Sequence, residues 1–387
     1  MASENTRGPQ ARSGTLVEDA SGRRRFMRGI MVHSLMARGV SFDEAYRVAN
    51  LVRDKIRGRP VVRRDELAAL IEGEFDGRLE PAPLPLPRPI TVTDGRMRTP
   101  FSKGVMAQSL LAAAVAPDEA FEVAQELEAE LVGQKLTEID RDALRERVAD
   151  TLQRTRGERV AARYRTWRAF QESDRPMILL LAGAAGVGKT ALAQEVAHRL
   201  GIARVTSTDS IRQVMRIMLS PELAPALHTS SYDAWQALPA LADSEEREIE
   251  GFRAQATTVS VGVRAMIERS INENSHMILD GVSIVPGLID LERYRNDAHL
   301  IFLAVATLDP GAYQARFEAR ARHSARRPPH RYLENLDGIL RIQDHLLELA
   351  DQQGVPIVDN VRFDDSVLSI LRHVTETLRK QGGFGEA

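Results

Sequence analysis

Residues 183–190 read Gly-Ala-Ala-Gly-Val-Gly-Lys-Thr, which fits the pattern GxxxxGK[ST]. Glycines at this spacing let a turn point its backbone N–H groups inward at a phosphate, and the positive end of a following helix adds to the attraction. Gly183, Gly186 and Gly188 would shape this cradle. Lys189 would reach the β- and γ-oxygens of a nucleotide, and the Thr190 hydroxyl would ligate Mg²⁺. Only five of the 52 basic residues are lysines, so a lysine inside a motif is informative. No Asn-Lys-x-Asp tetrad is present, which argues against a GTPase and leaves ATP with Mg²⁺ as the expected pair.

A phosphate loop identifies a donor and leaves the acceptor open. Asp209 closes the run Ser207-Thr-Asp at the end of a short apolar stretch, and Ser210 with Gln213 makes a capping-box pattern for the next helix. That pattern frees Asp209 from capping and leaves it at the carboxyl end of a strand, where open parallel sheets bind ligands. Arg212 and Arg216 lie one helical turn apart, so a carboxylate could activate an acceptor hydroxyl while two guanidiniums clamp its anionic group. The plainer alternative makes Asp209 the helix cap and leaves both arginines solvated. His228 and Tyr232 belong to a polar loop running to Trp235, which either covers the acceptor or is a packed connector. Asp280 ends another apolar run before Gly281, the Walker-B arrangement that holds Mg²⁺ or its water shell. Arg316, Arg320, Arg322, Arg326, Arg327 and Arg331 crowd a segment broken by Pro328-Pro329. Such a segment reads as a lid over the transferring group, with Arg320 and Arg327 as candidate catalytic residues, although charge alone does not separate them from their neighbours.

These residues need elements to hold them. Short apolar runs at 177–182, 203–208, 277–280, 299–306 and 356–359 alternate with helical periodicity, which predicts an α/β domain with a parallel sheet flanked by helices. The surest helices span 244–272 and 366–380. Upstream, a shift of 75 positions aligns Phe26 with Phe101, Gly29 with Gly104, Met31 with Met106 and Asp43-Glu44-Ala45 with Asp118-Glu119-Ala120. Two mainly helical modules are therefore expected, separated by the alternating prolines of 81–89. The organisation predicted is a disordered leader over 1–22, modules at 23–80 and 90–155 around the 81–89 linker, and a nucleotide-binding domain over 156–387.

With 43% hydrophobic and 27% charged residues the 387-residue chain reads as globular, and its net charge of -2 gives no footprint for nonspecific nucleic-acid binding. No apolar run reaches the roughly 20 residues of a membrane span. The absence of cysteine excludes disulfides, thiolate metal sites and cysteine nucleophiles. Cytoplasm is the default compartment; a homo-oligomer is compatible with the sequence, which does not set the oligomeric state.

The loop at 183–190, the elements Ser207–Arg212 and Leu227–Tyr232, and the runs Asp280–Gly287 and Val355–Asn360 together resemble the 2-phosphoglycerate kinases. The similarity covers residues 90–380. Thr93-Asp-Gly95 through Gly104 resembles the ATP-cone module that precedes the kinase domain in that family, a module that elsewhere senses nucleotides. The resemblance implies a P-loop kinase that passes the ATP γ-phosphoryl group to the 3-hydroxyl of 2-phosphoglycerate, a small phosphorylated acceptor. Two alternatives stay open from the residues alone: a regulatory P-loop ATPase, or a kinase for another small hydroxy acid.

Overall fold

A computed structural model describes residues 15–19, 22–36, 38, 40–75, 90–309, 311–316 and 330–382. They fall into two compact units, divided between residues 89 and 90. The proline-rich 81–89 segment lies outside the described residues.

The first unit begins with a hairpin, β1 (Leu16–Asp19) and β2 (Gly22–Arg25), followed by α1 (Arg28–Met36), α2 (Phe42–Lys55), β3 (Val61–Arg63) and α3 (Arg64–Glu72). β3 pairs parallel with β1, giving the order β2-β1-β3. Two expectations are corrected here. The leader cannot extend to residue 22, and the module carries a small sheet beside its helices. Four-residue strands in a stretch with three consecutive arginines leave little alternation to read, and the second partner of β1 is β3, more than 40 residues along the chain. Ser41 caps α2 by accepting the Glu44 N–H at 3.4 Å, and Ala45, Val48, Ala49 and Val52 supply its buried stripe.

The second module repeats the plan. β4 (Thr91–Asp94) and β5 (Met97–Pro100) form a hairpin, α4 (Lys103–Ala112) and α5 (Pro117–Gly133) follow, and β6 (Glu138–Asp140) adds parallel to β4 before α6 (Arg141–Arg156). The shift of 75 extends to the hairpin, Leu16 of β1 corresponding to Thr91 of β4, and becomes 77 at the third strand, where Val61 pairs with Leu16 as Glu138 of β6 pairs with Thr91. The duplication thus starts upstream of residue 23.

This module does not stop at residue 155. Helix α7 (Glu158–Phe170) gives Ala161 and Tyr164 to the module's core and Trp167 and Phe170 to the core of the following sheet. Ala112 and Ala114 enter that same second core. Gln108 of α4 donates from Nε2 to the carbonyl of His198 at 2.8 Å. Module and sheet therefore share buried apolar surface, and residues 90–382 behave as one compact unit.

The sheet has five parallel strands in the order β11-β10-β7-β9-β8. They are β7 (Met177–Ala182), β8 (Val205–Ser207), β9 (Met277–Gly281), β10 (His299–Ala306) and β11 (Ile357–Asp359). Central β7 is wholly buried, as a continuous Met-Ile-Leu-Leu-Leu-Ala run requires. The connecting helices are α8 (Lys189–Leu200), α9 (Thr208–Met218), α10 (Arg247–Asn272), α11 (311–316), α12 (His330–Glu334), α13 (Leu336–Gln352) and α14 (Phe363–Gly382). Register is what positions the site: Leu181 of β7 pairs with Asp280 of β9, and Asp280 with Ser207 of β8. Three strand ends thus finish level, and the loops leaving them open on one cleft. Among the described residues no helix is long and apolar enough to cross a membrane.

Candidate active site

The phosphate loop leaves β7 at Gly183 and enters α8 at Lys189. A Cβ on Gly183, at φ +145°, would lie 2.2 Å from the Val305 carbonyl oxygen, and one on Gly188, at φ +90°, would lie 2.6 Å from Asn360 Nδ2. A side chain at 183 would collide with the backbone of β10 and one at 188 with the Asn360 amide, and both positions have the positive φ that favours glycine. Gly183 packs at the sheet end, whereas Gly186 and Gly188 line a cleft of about 1220 Å³.

Lys189 is 8% exposed, and its ammonium donates to the Ala184 carbonyl at 2.6 Å, spanning the loop as a tie. The Thr190 hydroxyl donates to Asp280 Oδ2 at 2.7 Å. Asp280 is buried at the end of β9, and its other oxygen, Oδ1, has no hydrogen-bond partner. Burial pushes the Asp280 carboxyl above the ordinary carboxylate range, and the like charge of Asp209 adds to this. The Thr190 hydroxyl and the Lys189 charge pull the other way. A buried carboxylate with one unsatisfied oxygen beside a hydroxyl fits a divalent cation, which would replace the missing partner. Among the described residues no cluster of three or more His, Asp or Glu could hold a metal alone, so a cation here would draw further ligands from phosphate oxygens and water.

At the other end of the cleft, the helix cap differs from the expected one. Ser207, not Ser210, caps α9: its Oγ accepts the Ser210 N–H at 3.1 Å, and the two hydroxyls lie 3.0 Å apart. The helix begins at Thr208, earlier than the Ser210/Gln213 pattern places it, because β8 runs straight into the helix with no intervening loop. Asp209 is still free of the capping role. It lines the cleft with its side chain 70% exposed, 3.6 Å from Arg212 Nη2.

Arg212 is only 18% exposed, and its Nη1 donates to the carbonyls of Leu227 (3.0 Å) and Thr229 (2.8 Å). This locks the guanidinium at the cleft wall and ties α9 to the 225–232 loop. Tyr232 reaches the cleft, buried, with its ring edge-on to Tyr332 at 6.0 Å. Arg216 and His228 do not reach it. They line a smaller adjoining hollow of about 390 Å³ that shares Arg212 and Ser230 with the main cleft, and His228 Nε2 lies 2.9 Å from the Leu219 carbonyl oxygen. Arg216 is one turn beyond Arg212, far enough along α9 to pass behind the loop that Arg212 holds. Arg320 and Arg327 lie outside the described residues.

Arg316, grouped by sequence with the lid arginines, and Asn360, which had no assigned role, both line the cleft, and both bond the Val187 carbonyl, at 3.1 and 2.8 Å. Asn360 directly follows β11, a strand-end position of the same kind as Asp280, and that was the available signal. Ser230 and Ser231 line the acceptor end.

A phosphate loop on the central strand of a five-stranded parallel sheet, with a buried carboxylate on the neighbouring strand end hydrogen-bonded to the loop threonine, is the build of a P-loop kinase. A family model of the ATP cone domain matches residues 92–173. The 2-phosphoglycerate kinase of Methanopyrus kandleri is 39% identical over 294 residues, covering 76% of this chain and 89% of the relative. That of Methanococcus maripaludis strain C6 is 39% identical over 291 residues (74% and 92%), and that of Pyrococcus horikoshii 35% over 281 (73% and 91%). The chain belongs to the 2-phosphoglycerate kinase family.

Proposed function

We propose that this chain transfers the γ-phosphoryl group of ATP to the 3-hydroxyl of 2-phosphoglycerate, yielding ADP and 2,3-bisphosphoglycerate, in the cytoplasm. The observation that carries this reading is the single cleft that joins the phosphate loop with Thr190 and Asp280 at one end to Asp209 and Arg212 at the other. The family's named activity supplies the acceptor.

In the step proposed, the acceptor oxygen bonds to the γ-phosphorus as the bridging β,γ P–O bond breaks, and ADP leaves with that electron pair. Asp209 is exposed enough to meet a substrate hydroxyl; it orients that hydroxyl and takes its proton, which then passes to solvent. Arg212, already fixed by two carbonyls, presents its remaining donors to an acceptor phosphate or carboxylate. Arg216 and His228 stand at the adjoining hollow, within reach of a longer or more highly charged acceptor. Lys189 leaves its Ala184 tie to meet the β- and γ-oxygens, spreading charge as the transition state forms. Mg²⁺, held by Thr190 and Asp280, would neutralise the phosphate oxygens. Arg320 and Arg327 remain proposed contacts of the transferring group.

The test is ADP release in the presence of 2-phosphoglycerate, 3-phosphoglycerate, glycerate, shikimate, gluconate and nucleoside monophosphates. Turnover selective for 2-phosphoglycerate is expected. Selectivity for another hydroxy acid would reassign the acceptor, and ADP release independent of all acceptors would make the protein an ATPase.

A further inference from the structure

Alternate carbonyls of the phosphate loop are gripped by one short helix, one of them by buried Tyr313 and the other by Arg316 at the cleft wall. Tyr313 of α11 donates its hydroxyl to the Ala185 carbonyl at 2.5 Å. Arg316, one turn later on the same face, donates through Nη1 to the Val187 carbonyl at 3.1 Å and to Thr307 Oγ1 at 2.9 Å, and through Nη2 to the Asn360 carbonyl. Asn360 then donates from Nδ2 to the Val187 carbonyl at 2.8 Å, so that oxygen is held twice.

The consequence follows from peptide geometry. No peptide bond among the described residues is cis, and in a trans peptide the carbonyl of one residue points opposite to the N–H of the next. Holding the Ala185 oxygen toward buried Tyr313 turns the Gly186 N–H the other way, and holding the Val187 oxygen between Arg316 and Asn360 fixes the direction of the Gly188 N–H. Those two glycines line the cleft, at φ +92° and +90°. We propose that Tyr313 and Arg316 are positioning residues that aim the Gly186 and Gly188 N–H groups at the β-phosphate of a bound nucleotide. A charged donor on the Val187 oxygen also polarises that peptide, which strengthens the Gly188 N–H as a donor. Tyr313 is fully buried and does not line the cleft, so it acts on a ligand only through other residues, and its hydrogen bond leads to the loop.

The inference rests on the reading of residues 183–190 as a phosphate cradle, and the experiment separates the two. Dissociation constants for ADP and for AMP are measured by calorimetry on the full chain, for the parent protein and for Tyr313→Phe, Arg316→Gln, Arg316→Lys and Lys189→Ala, with melting temperatures alongside. Tyr313→Phe keeps the ring and removes one donor, so ADP should weaken by roughly threefold to tenfold. Arg316→Gln should weaken ADP by about tenfold or more because it removes a charged donor. AMP has no β-phosphate and should change by less than about twofold in each. Arg316→Lys should recover part of the ADP affinity, since an ammonium can still donate to the Val187 carbonyl. A merely structural role would lower the melting temperature and leave the ratio of ADP to AMP affinity where it was. If Lys189→Ala weakens ADP while that ratio is unchanged in the folded Tyr313 and Arg316 variants, the positioning role is refuted and the cradle stands. If Lys189→Ala leaves ADP affinity unchanged, the cradle itself fails and the positioning role with it.

Discussion

Replacing Asp209 by Asn separates catalysis from stability, because the two roles open to this carboxylate differ several-fold in energy. Its contribution to the fold is small. Ser207 already caps α9, the Asp209 side chain is 70% exposed, and its one ion pair among the described residues is the 3.6 Å contact with Arg212. A helical pair three residues apart, half open to solvent and at 3.6 Å, is worth about 0.3–0.5 kcal/mol, and a negative charge in a first helical turn about 0.3–1 kcal/mol. Asn keeps the size of the side chain, and Arg212 stays in place on the Leu227 and Thr229 carbonyls. The stability loss should therefore be about 0.6–1.5 kcal/mol. Loss of a positioned general base costs about 10²–10⁴-fold in rate, which is ~2.7–5.5 kcal/mol of barrier. The assay is acceptor-dependent ADP release at saturating ATP and 2-phosphoglycerate, run beside thermal melts. The expected result is a fall in kcat of that size with little change in KM for ATP or in melting temperature. A variant that melts slightly earlier and turns over at the parent rate would refute the reasoning and return Asp209 to a helix-terminus role.

Lys189→Ala should bring phosphoryl transfer to background while circular dichroism and melting show a folded protein, since its ammonium ties the loop to itself at the Ala184 carbonyl and packs no core; full turnover would remove the phosphate-loop assignment. A chain beginning at Arg88 should stay soluble and active, because the unit boundary lies there, whereas one beginning at Glu158 should fail to fold, because it strips Ala112, Ala114 and Gln108 from the sheet's core and from α8; a soluble, active product of the second truncation would show that the shared core is dispensable. Acid should destabilise the protein through His299, whose pKa burial lowers from 6.5 to about 4. The unfolded chain takes up that proton first as pH falls, so the stability is fully present above about pH 6.5 and lost towards pH 4, by an order of ~3 kcal/mol. Burial depresses His276, His345 and His373 in the same direction. Melts from pH 7 to pH 4 should show this slope, and His299→Leu should flatten it; an unchanged slope in that variant would rule His299 out as its source.

Features written in a few consecutive residues were legible from the sequence. The runs 177–182 and 299–306 are strands at the residues their apolar stretches mark, because a strand buried on both faces needs every side chain apolar. The loop at 183–190 could be read for the same reason: its glycines answer to local backbone demands. Asp280 was placed correctly at a strand end, but its hydrogen bond to Thr190 and its unsatisfied oxygen come from the level ends of β7 and β9, a matter of sheet register. Residues three or four apart share a helix face, yet only packing decides what that face meets. Arg212 is locked onto loop carbonyls while Arg216 turns to a separate hollow. The hairpin β1–β2 was invisible because its four-residue strands carry no alternation, and the β3 that completes its sheet lies far along the chain. Tyr313 and Arg316 acquire a role only because α11 lies against a loop more than 120 residues earlier in the chain. Local spacing and local apolarity determined the elements and the phosphate loop. Which carbonyl, carboxylate or guanidinium faces which was decided by contacts between distant segments, whose energy has no trace in the spacing of neighbouring residues.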